Sequence, residues 1–231
     1  ESFFISSKET RVCIAILSNN SETEILETSE TIEENELKKF EIIFTELLEQ
    51  SEIVTMSGSL LKGTKKDYYR KLVEIANVKG KKVILDTSGK ALIEGIKAKP
   101  YLIKPNLDEL EYVLGEKIDN DKKIKRAVYK LKELGAQNIL LSMGKNGAFY
   151  FGETNFKIII PKIKVCNTVG SGDSTVAGLA KGLHDNLKME DTLKLAMACG
   201  MSNAQKMETG AVDIDDVKSF QEKIEIVKFE L

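Results

Sequence analysis

The sequence predicts an α/β protein, a mostly parallel sheet covered by helices with a small β unit in front, and three observations carry that prediction. Short apolar runs such as KKVILD and NILLS alternate with amphipathic helical stretches over most of the chain. Turn-forming residues stand at the junctions between them. The front of the chain differs, carrying only short alternating segments, RVCIAIL and TEIL, punctuated by SNNSE.

Residues 1–31 are therefore read as a β unit and residues 32–231 as the α/β core. The core opens with the amphipathic helix ENELKKFEIIFTELLEQ and passes into the strand EIVTMS. Helix KKDYYRKLVEIANV, strand KKVILD, helix KALIEGI and strand YLIKP follow. Two helices, LDELEYVLG and DKKIKRAVYKLKELG, precede the strand NILLS. Repeated βαβ units of this kind place their strands in parallel. GAFYF and FKIIIP read as further strands, and the chain ends in helices, STVAGLAKGLHDN, DTLKLAMACGMSNAQKM and DIDDVKSFQEKIEI.

A length of 231 residues with 42% apolar content suffices for a full core in one main domain. The 34 Lys and Arg against 36 Asp and Glu give a net charge of −2, which offers no basic field for nucleic acid or an anionic membrane. Any phosphate site must be local. No apolar run approaches a membrane span, and ESFFISSKET lacks a signal pattern, so a soluble cytoplasmic protein is expected. Cys13, Cys166 and Cys199 are far apart, with neither a disulfide rhythm nor a CxxC pair, and are expected as buried thiols. His184 has no partner in sequence and is expected at the surface. The chain begins with Glu1, and Phe3, Phe4 and Ile5 already read as ordered, so an upstream segment is expected.

In an open parallel sheet, ligands bind at the carboxyl ends of the strands. The residues at those ends are Ser57-Gly58-Ser59, Asp86-Thr87-Ser88-Gly89, Lys104-Pro105-Asn106, Ser142-Met143-Gly144 with Gly147, and Gly170-Ser171-Gly172-Asp173, nearly all small, polar or charged. The last group lies in VCNTVGSGDSTVAG, where strand gives way to helix. GSGDST lacks the third glycine of a dinucleotide fingerprint, and no GxxxxGK[ST] loop occurs. Backbone N–H groups of Gly170, Ser171 and Gly172 at a helix N-terminus can surround developing negative charge. Asp173 beside them would repel a resting phosphate but is placed to take a proton from a hydroxyl attacking one. Cradle and base together point to phosphoryl transfer to an alcohol. The alternative is a glycine-rich turn with Asp173 as a helix N-cap.

NTVGSGDSTVAGLAKGL resembles the C-terminal signature of the ribokinase-like (PfkB) carbohydrate kinases, in which the GxGD aspartate is the catalytic base. SGSLLKG, DTSGKAL, LIKPNLDEL and SMGKNGA recur in the same order in that family. The resemblance covers essentially the whole chain and implies a three-layer α/β/α sandwich, with residues 1–31 a remnant of a β lid. It implies ATP and Mg²⁺ as cofactors, a phosphorylated ketohexose as acceptor, and a homodimer formed through the lid. Asn106 and Glu109 match the N-x-x-E element that supports Mg²⁺, with a plain helix cap as the alternative. Lys104, Ser142, Gly144 and Gly147 match nucleotide-phosphate contacts, and Gly200 and Asn203 match positions beside the adenine and ribose pocket or else pack. Ser57 and Gly58 fall at the sugar side, and Arg11 fits the lid arginine that reaches the phosphate already on the sugar. Val12 and Cys13 stand where the related kinases carry Asn, and the upstream part of the family, with an acidic sugar contact and a Gly-Gly-Lys-Gly-like motif, has no counterpart here. A nucleotide-binding module without turnover is the rival from a different functional class.

Overall fold

A computed structural model describes residues 3–18 and 21–230. Its main body is a seven-stranded sheet whose spatial order follows the chain, β3 (Ile53–Ser57), β4 (Lys82–Asp86), β5 (Leu102–Ile103), β6 (Asn138–Ser142), β7 (Ala148–Phe151), β8 (Asn155–Ile159) and β9 (Glu225–Phe229). β3 to β6 pair in parallel and β6 to β9 antiparallel. The division has a simple chemical basis. KVILD, LI and NILL are apolar at successive positions and bury both faces, which suits strands joined by crossover helices. NFKII alternates, burying Phe156 and Ile158 and leaving Lys157 and Ile159 outward.

Side chains on the two faces of the sheet enter separate cores. Val83 and Leu85 join Leu48, Val73, Leu110 and Leu131 beneath α1 (Glu34–Leu48), α2 (Tyr68–Val78), α3 (Gly89–Ile96), α4 (Leu107–Leu114) and α5 (Asp121–Leu134). Ile84, between them in sequence, joins Leu102, Leu140, Leu179 and Leu193 beneath α6 (Ser171–His184), α7 (Met189–Ala204) and α8 (Ile214–Lys223). The molecule is thus a three-layer sandwich. α6 and α7 approach so closely that a Cβ on Gly178 would lie 2.6 Å from Ala196 Cα. Glycine at that contact lets the two helices pack backbone against backbone.

Two expectations need correction. The last helix was expected to run through Ile226, but α8 stops at Lys223 and EIVKF forms β9 against β8, with Ile226 opposite Ile158. The spacing of Ile224 and Ile226 suits a strand facing the core, and the free edge of β8 supplies the pairing that local propensity does not encode. The cysteines are not buried thiols: Cys13 and Cys166 are exposed and Cys199 is half-buried. Cys13 lies in a two-stranded sheet and Cys166 in the loop before α6, neither of which has a second layer over it. His184 is at the surface as expected, 3.5 Å from Glu52. Among the described residues no helix is long and apolar enough to cross a membrane.

The front segment forms a separate antiparallel pair, β1 (Cys13–Ser18) and β2 (Ser21–Leu26). Residues before it are tied to α1 by Glu36, whose carboxylate accepts from Ser6 Oγ at 2.8 Å and Ser7 N–H at 2.9 Å. Those bonds, led by the one from the Ser7 N–H, hold the Glu36 carboxyl down to about 2. After β2, Ile32 N–H donates to Lys62 O at 2.9 Å, joining the segment to the core.

Candidate active site

The four parallel strands end on one edge, and hydrogen bonds lash those ends together. Gly58 N–H donates to Asp86 O at 2.9 Å, Thr87 Oγ1 donates to Gly58 O at 2.7 Å, and Tyr69 OH donates to Ser57 O at 2.9 Å. Lys104 continues β5, its N–H donating to Leu85 O at 3.2 Å. Ser142 N–H donates to Pro105 O at 3.0 Å, and an isolated bridge joins Ser142 to Asn106. Ser57, Gly58, Asp86, Lys104, Asn106 and Ser142 therefore lie along one continuous rim.

Lys104 is not the solvated strand-end lysine that its position alone would allow. Its Nζ lies 3.1 Å from Asp86 Oδ2, with the side chains only 8% and 15% exposed. Removing one member of a buried pair typically costs about 3 to 5 kcal/mol, because the other charge is left without a partner. Burial pushes the Asp86 carboxyl above its ordinary value, Lys104 draws it back, and the charge of Asp173 pushes it up again. Burial likewise raises Glu109, while the Asn106 N–H lowers it and the Asp86 charge raises it. Asp86, Lys104, Glu109 and Asp173 thus converge. Asp86 received no role from the sequence, although an acid closing the apolar run KVILD and followed by TSG marks the place.

Asn106 caps α4: its Oδ1 accepts from Glu109 N–H at 2.8 Å, and Glu109 Oε2 accepts from Asn106 N–H at 2.9 Å. The capping box is present, and it leaves Glu109 Oε1 with no described partner. Magnesium is held by one or two carboxylates together with waters and phosphate oxygens, so this donor set fits the ion. Among the described residues no group of three His, Cys, Asp or Glu is arranged to hold a metal ion.

The loop after β6 is shaped by glycine. Gly147 has φ +83°, and a Cβ there would collide with the Ile158 carbonyl oxygen. Met143 N–H donates to Gly147 O at 2.9 Å, closing the turn that includes Gly144.

Gly170 caps α6 with φ +81°, a left-handed conformation that glycine adopts without strain. Asp173 is the third residue of that helix, exposed, and the helix start carries no side-chain cap bond. The capping alternative for Asp173 therefore falls. Of the expected donors Gly170, Ser171 and Gly172, only Ser171 has an N–H with a described acceptor. Ser171 N–H donates to Thr168 O at 3.2 Å, while the N–H groups of Gly172 and Asp173 precede the first intrahelical bond, Ser174 N–H to Gly170 O at 2.8 Å. A Cβ on Gly172 would stand 3.5 Å from Lys104 Nζ, which brings the lysine to the positive end of the helix.

Asn203 is corrected from a nucleotide contact to a clamp. It is fully buried, its Oδ1 accepting from Gly210 N–H at 2.6 Å and its Nδ2 donating to Val169 O at 3.0 Å and Ser171 Oγ at 3.2 Å. With both ends of the amide engaged it holds the loop that precedes α6. Gly200 is a packing residue, since a Cβ there would collide with Thr175 Oγ1. Arg11 precedes β1, is exposed, and makes no ion pair with any described residue.

A family model described as pfkB family carbohydrate kinase matches residues 2–216. The chain belongs to this family. PfkB carbohydrate kinases are phosphotransferases, and a cradle of N–H groups flanked by a free carboxylate and a lysine accords with that chemistry. Among curated relatives, a tagatose-6-phosphate kinase of Staphylococcus epidermidis is 43% identical over 232 aligned residues, covering 99% of this chain and 75% of the relative. Among solved structures, a phosphofructokinase-type protein of Staphylococcus aureus is similar at 27% identity and TM-score 0.81, covering 99% of this chain and 74% of that one. Phosphofructokinase-2 of Escherichia coli, with substrates and products, matches at TM-score 0.82 and 24% identity, covering 94% and 72% of the two chains, a likeness of fold.

Proposed function

We propose that the protein is an ATP-dependent kinase acting on a phosphorylated ketohexose, converting tagatose 6-phosphate to tagatose 1,6-bisphosphate. The sugar rests on the 43% identity to a tagatose-6-phosphate kinase. The chemistry rests on one observation, the unbonded carboxylate of Asp173 at the amino end of α6, beside N–H groups with no intrahelical partner and the ammonium of Lys104.

Each residue then has a task. Asp173 accepts the proton of the attacking hydroxyl as its oxygen bonds to the γ-phosphorus and the bond to ADP breaks. The N–H groups of Gly172 and Asp173, with the dipole of α6, stabilise negative charge on the transferring group. Lys104 supplies a full positive charge on the same side. Ser142 and the Gly144–Gly147 turn line the nucleotide side of the rim, and Ser57 and Gly58 the acceptor side. Glu109 and Asn106 would hold Mg²⁺, which when bound neutralises charge between the phosphates. Arg11 receives the phosphate already on the sugar, because a planar guanidinium without an ion pair suits that group.

β1 and β2 act as a lid and as the contact between two copies. Val12, Ile14, Ile16, Ile25 and Leu26 are all more than half exposed, with Ile14 paired to Ile25, and a lone two-stranded sheet is at best marginal in water. Sedimentation at micromolar protein should report a dimer; a monomer would count against this contact.

Asp173→Asn tests the chemical assignment. Turnover should fall by two orders of magnitude or more, while the dissociation constant for ATP stays within about threefold. Near-normal turnover in this variant would remove Asp173 from the base role.

A further inference from the structure

We propose that Asp86 is a positioning residue for the nucleotide: it holds the Lys104 ammonium against the amino end of α6, so that a phosphate oxygen of ATP is received between Lys104 Nζ and the N–H groups of Gly172 and Asp173. The inference rests on the ATP-dependent kinase reading and adds to it the residue that keeps the lysine in place.

Three features carry it. Lys104 is more than nine-tenths buried, yet of its three ammonium donors only one has a described acceptor, Asp86 Oδ2 at 3.1 Å. A buried donor left unpaired is costly, so the remaining donors point to an acceptor that arrives with a ligand. The second feature is electrostatic. The place a Gly172 Cβ would occupy is 3.5 Å from Nζ, which sets a full positive charge against the positive pole of a 14-residue helix. The carboxylates of Asp86 and Asp173 offset the repulsion between the two poles, and Asp86, 3.1 Å from Nζ, is the counter-charge in direct contact with the lysine. The third is rigidity. Asp86 closes β4, its own carbonyl accepts the Gly58 N–H at 2.9 Å, and Lys104 N–H bonds to the carbonyl of the preceding Leu85. Both members of the pair are thus fixed by main-chain bonds between adjacent strands, and Gly172 keeps the space between lysine and helix open.

Calorimetric titration with ATP and with AMP tests this in the wild-type chain, Asp86→Asn, Lys104→Met and the double variant. Asp86→Asn should weaken ATP roughly tenfold, the scale of a charge-assisted hydrogen bond, and leave AMP within about twofold. Lys104→Met should do the same, and the double variant should bind ATP no more weakly than Lys104→Met, because Asp86 acts through the lysine. The double variant leaves no lone buried charge, so it stays informative even if a single variant does not fold: ATP should bind it roughly tenfold more weakly with AMP within about twofold, and unchanged ATP affinity would remove the pair from the nucleotide site. A folded wild-type chain that binds no ATP defeats the kinase reading itself. If the wild type binds ATP, the role of Asp86 is overturned by unchanged ATP affinity in Asp86→Asn, by equal weakening of ATP and AMP, or by a double variant weaker than Lys104→Met.

Discussion

The α/β core and the two-stranded front sheet solve opposite problems. In the core, Val83, Ile84, Leu85, Leu102 and Ile103 are completely buried between two layers of helices, and the rim stands on that packing. In the front sheet, Ile14, Ile16 and Ile25 are 51%, 52% and 54% exposed, and no second layer covers them. The core fixes, within its own packing, the groups to which the proposed function gives phosphoryl transfer. On the proposed reading the front sheet is a lid that gains its stability from what it closes upon. Chemistry is therefore assigned to the rigid region, and recognition of the acceptor's resident phosphate to the region with surface to spare.

The largest expected effect breaks the rigid side. Gly147→Ala puts a Cβ into the Ile158 carbonyl at a backbone conformation with φ +83°, so unfolding in urea should show a loss of about 3 kcal/mol. A loss below about 0.5 kcal/mol would mean that the turn relaxes freely and that the rim is not fixed by close packing. Next comes the recognition side. Arg11→Ala should raise KM for the sugar phosphate roughly ten- to a hundredfold and spare KM for ATP, the expectation for one lost charge-assisted phosphate contact. An equal rise in both would return Arg11 to a structural role. The smallest change in core stability belongs to Ile14→Glu, which should shift sedimentation toward monomer while altering the urea midpoint by no more than about 0.5 kcal/mol. A large loss of core stability there would show that the two regions are not separable.

Much of the core is legible in the sequence because burial on both faces leaves a local trace: KVILD and NILLS are apolar without a break, and glycines mark the loops after β6 and before α6. The place of Asp173 is legible as well, since GSG ahead of an apolar helical run marks the start of α6. What the sequence conceals depends on partners distant along the chain. Lys104 reads equally as solvated or inward until Asp86, 18 positions earlier, is seen 3.1 Å from its ammonium. Asn203 reads as a ligand group until its amide is found bonded to Val169, Ser171 and Gly210. EIVKF escapes as a strand because only the waiting edge of β8 distinguishes it from the end of a helix.

The measurement that bears most directly on the central claim is ADP release by the protein with ATP, Mg²⁺ and a panel of acceptors: tagatose 6-phosphate, fructose 6-phosphate, fructose 1-phosphate, and unphosphorylated tagatose, fructose and ribose. The account predicts the highest kcat/KM for tagatose 6-phosphate and at least about tenfold less for every unphosphorylated sugar, because the contact with the resident phosphate is then lost. A free sugar as the best acceptor, or ADP release that no acceptor stimulates, would contradict it.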